Sequence, residues 1–483
     1  MPALAQAPSS APAAPVLVSG PSPYVAGCDG VIAPMGKAFP GAVVEPSIAI
    51  DPLDPAHLVA AWQQDRRSNG GAQGQEAAFS RDGGRTWTVS SARFTHCQGG
   101  NAQNGGDYER ASDPWVVFAA NGVVYQGSLV LNTTALTSAI AVSTSRDGGA
   151  TWSGPLPLIL DNMHLHFNDK ETLTVDPNDT DRVYATWDRI NKARPASSFE
   201  QVESSEPGDS GPAMFTRTTD GGRSWEPARA IFDPGANAQT IANQVLVLPN
   251  GDLVNAMTVV RSGAGRGGQD AYSIESIRST DGGDTWSEPV SISGSNASIK
   301  EPDEPRTSMP IRSGAGQEAD YAVDPSSGAI YAVWSERGLS GGARVDLAMS
   351  ASTDGGRSWP APLRIDQTPN DAPAFAPTVA VLPDGTVGVS YYDLRNDGPY
   401  EPAIATDYWF ETCRSGCADL ANWSETHVAG PFDLRPAPFA GALFLGDYEG
   451  LAGGPRGFAL LFAQTHSSLS ERPTDIYFVS LSP

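Results

Sequence analysis

The chain has 483 residues, 40% of them hydrophobic, and its 55 acidic against 31 basic side chains give a net charge of −24. That acidic excess excludes nucleic acid and an anionic membrane surface as partners, because both need a basic face. No stretch approaches the roughly 18 apolar residues of a membrane helix, and the apolar content is ample for a large core.

The chain opens with MPALAQAPSS. ALAQA before Pro8 has the small-x-small pattern of a signal-peptide cleavage site, so residues 1–7 read as a leader remnant and the protein as secreted or periplasmic. Residues 8–44 read as an N-terminal segment with one strand at PVLVSG, from Pro15, and residues 45–483 as the main domain. The four cysteines agree with export. Cys413 and Cys417 in CRSGC are close enough for a local disulfide, which leaves Cys28 to pair with Cys97. No Cys/His spacing suggests zinc.

From residue 80 onward one string recurs. SRDGGRTW is followed by SRDGGATW, TTDGGRSW, STDGGDTW and STDGGRSW, with aspartates at Asp82, Asp147, Asp220, Asp281 and Asp354. The gaps of 65, 73, 61 and 73 residues mark one copied supersecondary unit. Around each string lie short β-rich runs separated by turn residues, with almost no helical periodicity. Glycine supplies positive φ without steric cost and Asp accepts backbone N–H groups, so DGG reads as a tight hairpin and the string as structural.

First strands are expected at Pro46, Pro114, Glu171, Gln244, Tyr321, Pro377 and Tyr448. The sixth unit has Cys413–Trp423 in place of DGG, where a disulfide can do the turn's work. The last unit has three strands, and the segment from Pro15 can supply the fourth. The expectation is an all-β, seven-bladed propeller of four-stranded antiparallel blades closed by the N-terminal strand, with six blades as the alternative. Long connections fall on one face, where binding usually sits. The same face gathers a ring of carboxylates and arginines: Glu45, Asp65, Arg66, Asp113, Asp169, Lys170, Glu171, Asp188, Arg189, Arg261, Glu318, Asp320, Glu336, Arg337, Asp393, Arg395, Asp447 and Glu449. Such a ring reads either as blade-joining ion pairs or as a polar pocket at the channel mouth. Oxygen-rich rings suit calcium, so calcium is an option, though no motif requires a cofactor.

The S/T-x-D-G-G-x-T/S-W strings resemble the Asp-box, or BNR, repeat of sialidases and related secreted propellers. The resemblance implies a glycoside hydrolase acting at the channel mouth, a monomer with a carbohydrate ligand. By that resemblance GDYEGL makes Tyr448 the nucleophile, Asp65 or Asp113 the acid and base, and Arg66, Arg189, Arg337 and Arg395 the set from which a carboxylate clamp is drawn. The family's Arg-Ile/Leu-Pro signature is absent, and the first strand reads VEPSIAID. A polysaccharide lyase using Tyr448 or His166 as base, or a binding propeller without chemistry, are the alternatives.

Overall fold

The computed structural model describes residues 13–31, 36–204, 206–265, 270–294, 296–297, 311–312, 318–337, 339, 344–369, 372–398, 403–466 and 471–482. The expected leader remnant at residues 1–7 lies outside them. The chain is all-β, and among the described residues the α-helix is confined to Phe199–Glu203. The strands run as successive antiparallel meanders. The first comprises Val43–Ile50, Leu58–Arg66, Ala72–Ser80 and Thr88–Ser90, and the second Arg110–Phe118, Val124–Asn132, Thr137–Ser145 and Leu156–Asn162. The third uses His166–Asp176, Asp179–Asn191, Ala213–Thr218 and Arg229–Phe232, and the fourth Ala238–Val247, Leu253–Arg261, Ala271–Ser279 and Val290–Ser291. Next come Ala319–Val323, Ile330–Arg337, Val345–Ser352 and Leu363–Arg364, then Ala374–Val381, Val387–Asp393, Ala405–Cys413 and Trp423–Asp433. In the last, Gly450–Gly454, Gly457–Thr465 and Thr474–Leu481 are joined by Val16–Leu17, which pairs antiparallel with Thr474–Leu481.

The recurring DGG turns explain their own composition. In the first, Asp82 accepts from the Thr86 backbone N–H (2.9 Å) and hydroxyl (2.7 Å), while Ser80 Oγ accepts from Gly84 N–H (2.9 Å). The same bonds recur around Asp147, Asp220, Asp281 and Asp354. These bonds favour the charged form and hold the carboxyls of Asp82, Asp147, Asp220 and Asp354 down at about 2, with Asp281 also lowered. The second glycine of each turn packs on the preceding meander: Gly149 on Val59, Gly222 on Tyr125, Gly283 on Phe215 and Gly356 on Val254, with Gly84 on Phe478 of the last. The tryptophans add to these contacts. Trp87 meets Phe478 edge-on at 5.4 Å between centroids, and Trp286 meets Phe215 at 5.7 Å. Where DGG is missing, the Cys413–Cys417 disulfide closes the turn and Trp423 Nε1–H donates to Cys417 O (3.0 Å). Cys28–Cys97 fastens the N-terminal segment to the first meander.

Most first strands begin several residues before the positions expected from sequence. The reason is a bulge shared by five of them, between Val44 and Ser47, Ser112 and Trp115, Asp169 and Thr172, Ile241 and Gln244, and Phe375 and Thr378. At each bulge one non-glycine residue takes positive φ: Glu45 (53°), Asp113 (54°), Lys170 (49°), Ala242 (54°) and Ala376 (51°). Each costs about 1–2 kcal/mol of backbone strain. A bulge re-aims side chains out of the strand's alternation. Below the bulges the first strands of all the meanders line one cavity of about 650 Å³.

Candidate active site

The carboxylates and cations expected at the face of long connections do converge, around Lys170. Its Nζ lies 2.8 Å from Glu318, 2.8 Å from Asp447 and 3.6 Å from Asp113. Arg312 clamps Asp447 with two nitrogens, Nε at 2.6 Å from Oδ1 and Nη2 against Oδ2. Asp447 N–H donates to Glu45 Oε1 (3.3 Å), and Gln63 donates to the other Glu45 oxygen. Among the described residues no three His, Cys, Asp or Glu are grouped to hold a metal ion. The middle of the ring is taken by the Lys170 ammonium.

Burial sorts these carboxyls. Burial would raise Asp447, but Arg312 and Lys170 outweigh it and hold that carboxyl below the ordinary range. Burial, reinforced by Asp113, pushes both Glu45 and Asp169 up to about 7. Glu318, Glu171 and Asp188 are raised as well, burial again leading. Lys170 keeps its proton, since the carboxylates around it overcome its own burial. Groups of one type driven apart in this way are the pattern from which acid and base roles are assigned.

Two cavities flank the cluster. Outside it, a mouth of about 350 Å³ is lined by Arg66, Asp169, Arg312, Asn69, Phe167 and Gln239, among others. Inside it, a cavity of about 50 Å³ is lined by Asp113, Lys170, Glu171, Glu318, Asp447 and Tyr448. Arg66 is 5% exposed. It donates to Gly71 O (2.6 Å) and stacks over Phe444 at 5.1 Å, and its charge acts on Glu45 without a direct ion pair among the described residues. Arg312 stacks over the same ring at 4.7 Å.

Of the residues given a catalytic or substrate-binding role from the sequence, Arg66 lines the mouth and the others do not. Arg189 forms a two-pronged pair with Asp161 (2.8 and 2.6 Å). Arg395 is held by Asp393 and Glu425 and lies over Trp409 at 3.7 Å. Arg337 ends its strand, its backbone N–H donating to Glu336 (3.2 Å). Asp65 accepts from Ser22, Gly41 and Gln64, so its carboxylate anchors the N-terminal segment. Asp113 belongs to the cluster and, with Tyr448 below it, lines the inner cavity. The Tyr448 hydroxyl lies 3.4 Å from Pro114 O; burial and the carboxylates of Glu45, Asp113, Glu171 and Glu318 keep it protonated. His166 bonds Asn191 (2.8 Å). The sequence reading missed Arg312 as a site residue, and it placed Asp169 in the ring without a role. Their signal was slight: Arg312 sits in a long connection without a motif, and Asp169 precedes the bulge that sets its direction.

Residues 196–397 match the BNR repeat-like domain, a span that includes the Asp220, Asp281 and Asp354 turns. The chain carries BNR repeats. Among solved structures, a protein of unknown function from Dyadobacter fermentans is similar at a TM-score of 0.49 and 14% identity, over 99% of this chain and 100% of that one. An α-L-arabinofuranosidase from Fusarium graminearum aligns at 0.48 and 13%, over 97% and 98%. A Hadza microbial sialidase aligns at 0.45 and 18%, over 74% and 66%. No curated protein matches.

Proposed function

We propose that this BNR-repeat protein is a secreted, monomeric glycoside hydrolase. In this reading, residues 45–483 are a seven-bladed propeller, and residues 8–44 are a strap that closes it. Its substrate is a carboxylate-bearing glycan, sialosides first, bound at the mouth cavity. The observation that carries the reading is the split pair. Asp169, pushed up to about 7, and Asp447, held ionised, meet the same cations, Arg312 and Lys170. Asp169 is the proton donor to the leaving oxygen, with a pKa suited to neutral or mildly acidic operation. Arg66 receives the substrate carboxylate in the planar, two-pronged manner of guanidinium. A carboxylate that also engages Arg312 loosens Asp447, which then stabilises the cationic transition state or activates water. Tyr448, expected as nucleophile, serves in this scheme only if the Lys170–Asp447–Arg312 cluster opens toward it. No metal takes part in these steps, and the chelator arm below tests whether calcium contributes.

A lyase is the second reading. The mouth offers one carboxyl of raised pKa beside two guanidinium groups. Those are a base and carboxylate-neutralising cations, the components for abstracting a proton α to a uronate carboxylate. Fluorogenic sialosides, arabinosides and neutral glycosides, run beside uronate polymers with and without chelator, separate the readings. Release from one glycoside, lost in Asp169→Asn, supports hydrolysis. Growth of absorbance from an unsaturated product moves the protein to the lyases. Silence across the panel from folded protein leaves a binding propeller.

A further inference from the structure

The channel below the charged cluster belongs to neither reading. It is the cavity of about 650 Å³ encircled by the first strands, a size that suits a small organic molecule. Trp115 and Tyr448, edge to face at 5.7 Å, stand between it and the carboxylates above, since both rings line both cavities. At the other end it reaches the exposed turns at Pro177, Asn178 and Pro249. Val117, Val175, Val323 and Leu451 keep part of their surface uncovered along its wall. Water in such a space finds few hydrogen-bond partners, and apolar cavities instead accept apolar guests.

Two further features define the guest. Among the described residues no lysine, arginine or histidine lines the cavity. Its acidic lining groups are Asp320 and Glu449, both pushed up by burial, Asp320 to about 7. An anion therefore finds no counter-charge. Tyr321, a residue 3% exposed, lines the same space, and its buried hydroxyl has no hydrogen-bond partner among the described residues. A buried hydroxyl left unmatched costs about 1–3 kcal/mol, which a ligand's polar atom recovers.

We propose that this lower channel binds a neutral, mainly apolar small molecule carrying one hydrogen-bonding head group, seated on Val175, Val323 and Leu451 and read by Tyr321. The site is separate from the mouth cavity and from the chemistry assigned there.

The test is titration with the neutral dye N-phenyl-1-naphthylamine, followed by displacement with 1-decanol. The expected result is a saturable fluorescence gain at one dye per chain, retained in Arg66→Gln and abolished in Val323→Trp, whose indole fills the space. Near-UV circular dichroism checks that each variant is folded, and Leu451→Trp stands in if Val323→Trp is not. Tyr321→Phe is expected to weaken decanol by about fivefold, the worth of one neutral hydrogen bond, while the dye's saturation level stays the same. An unsaturable signal, a signal unchanged by either tryptophan, or decanol affinity unchanged in Tyr321→Phe overturns the proposal.

Discussion

Two glycines with nearly the same φ allow the contact between first and last meanders to be weighed alone. Gly84 has φ of 84° and Gly251 has φ of 85°. A Cβ on Gly251 meets nothing within 4 Å, whereas one on Gly84 overlaps the Phe478 ring. Gly251→Ala is therefore expected to cost only the left-handed backbone, about 1–2 kcal/mol. Gly84→Ala adds overpacking of about 1–3 kcal/mol, for a total of roughly 2–5 kcal/mol. Urea unfolding followed by tryptophan fluorescence measures both. The difference is tied to the ring by a cycle. In a Phe478→Ala background, Gly84→Ala is expected to cost no more than Gly251→Ala does, because the obstruction is gone. Equal costs for the two glycines in the parent protein, or a Gly84 penalty that persists without Phe478, would refute the reasoning.

The remaining expectations concern charge and catalysis. Lys170→Met leaves Asp447, Glu318 and Asp113 without their shared ammonium, and is expected to destabilise by about 3–5 kcal/mol in the same urea assay. A double variant, Lys170→Met with Glu318→Gln, should recover part of it. Stability should be greatest in mildly acidic solution. Burial raises Asp320 and Glu76 to about 7 and Glu411 to about 8, so their contribution is full below about pH 4 and is lost as pH rises through 7 to 8. The DGG aspartates, lowered to about 2, act in the opposite sense and lose their contribution only as pH falls from about 4 toward 2. Thermal unfolding should thus occur at a higher temperature at pH 5 than at pH 8, and the reverse order would contradict the raised carboxyls. Should one glycoside of the panel be cleaved, Arg66→Lys is expected to raise KM by about tenfold with kcat little changed, since it removes a two-pronged contact made equally in ground and transition states. A fall in kcat alone would move Arg66 from holding the substrate to the reacting centre.

The sequence was a good guide wherever local chemistry decides the structure. Ser80, Asp82, Gly84 and Thr86 specify their turn through bonds within five residues, so the repeat, the strand order and the two disulfides could be read directly. The charged ring could also be anticipated, because Glu45, Asp113, Lys170 and Asp447 occupy comparable places in their units. Which of its members face a cavity could not. Asp65, Arg189 and Arg395 are taken up by Ser22, Asp161 and Glu425, partners 43, 28 and 30 residues away, and no pattern along the chain announces such pairings. The bulges posed the same difficulty. Ala242 and Ala376 hold positive φ with side chains that give no hint of it, and only the register of the neighbouring strand reveals the extra residue.

The pairing of Val16 with Phe478 has a consequence for how the molecule is made. Its last sheet cannot be finished until Thr474–Leu481 has emerged, and the contribution from residues 16–17 has to wait unpaired until then. Nascent chains stopped before Thr474 will therefore display an open strand edge at Gly457–Thr465, a template for pairing with other chains. The hazard is greatest for truncated products, and the Cys28–Cys97 bond, which can form once the first meander exists, keeps the waiting segment close to the place it must fill.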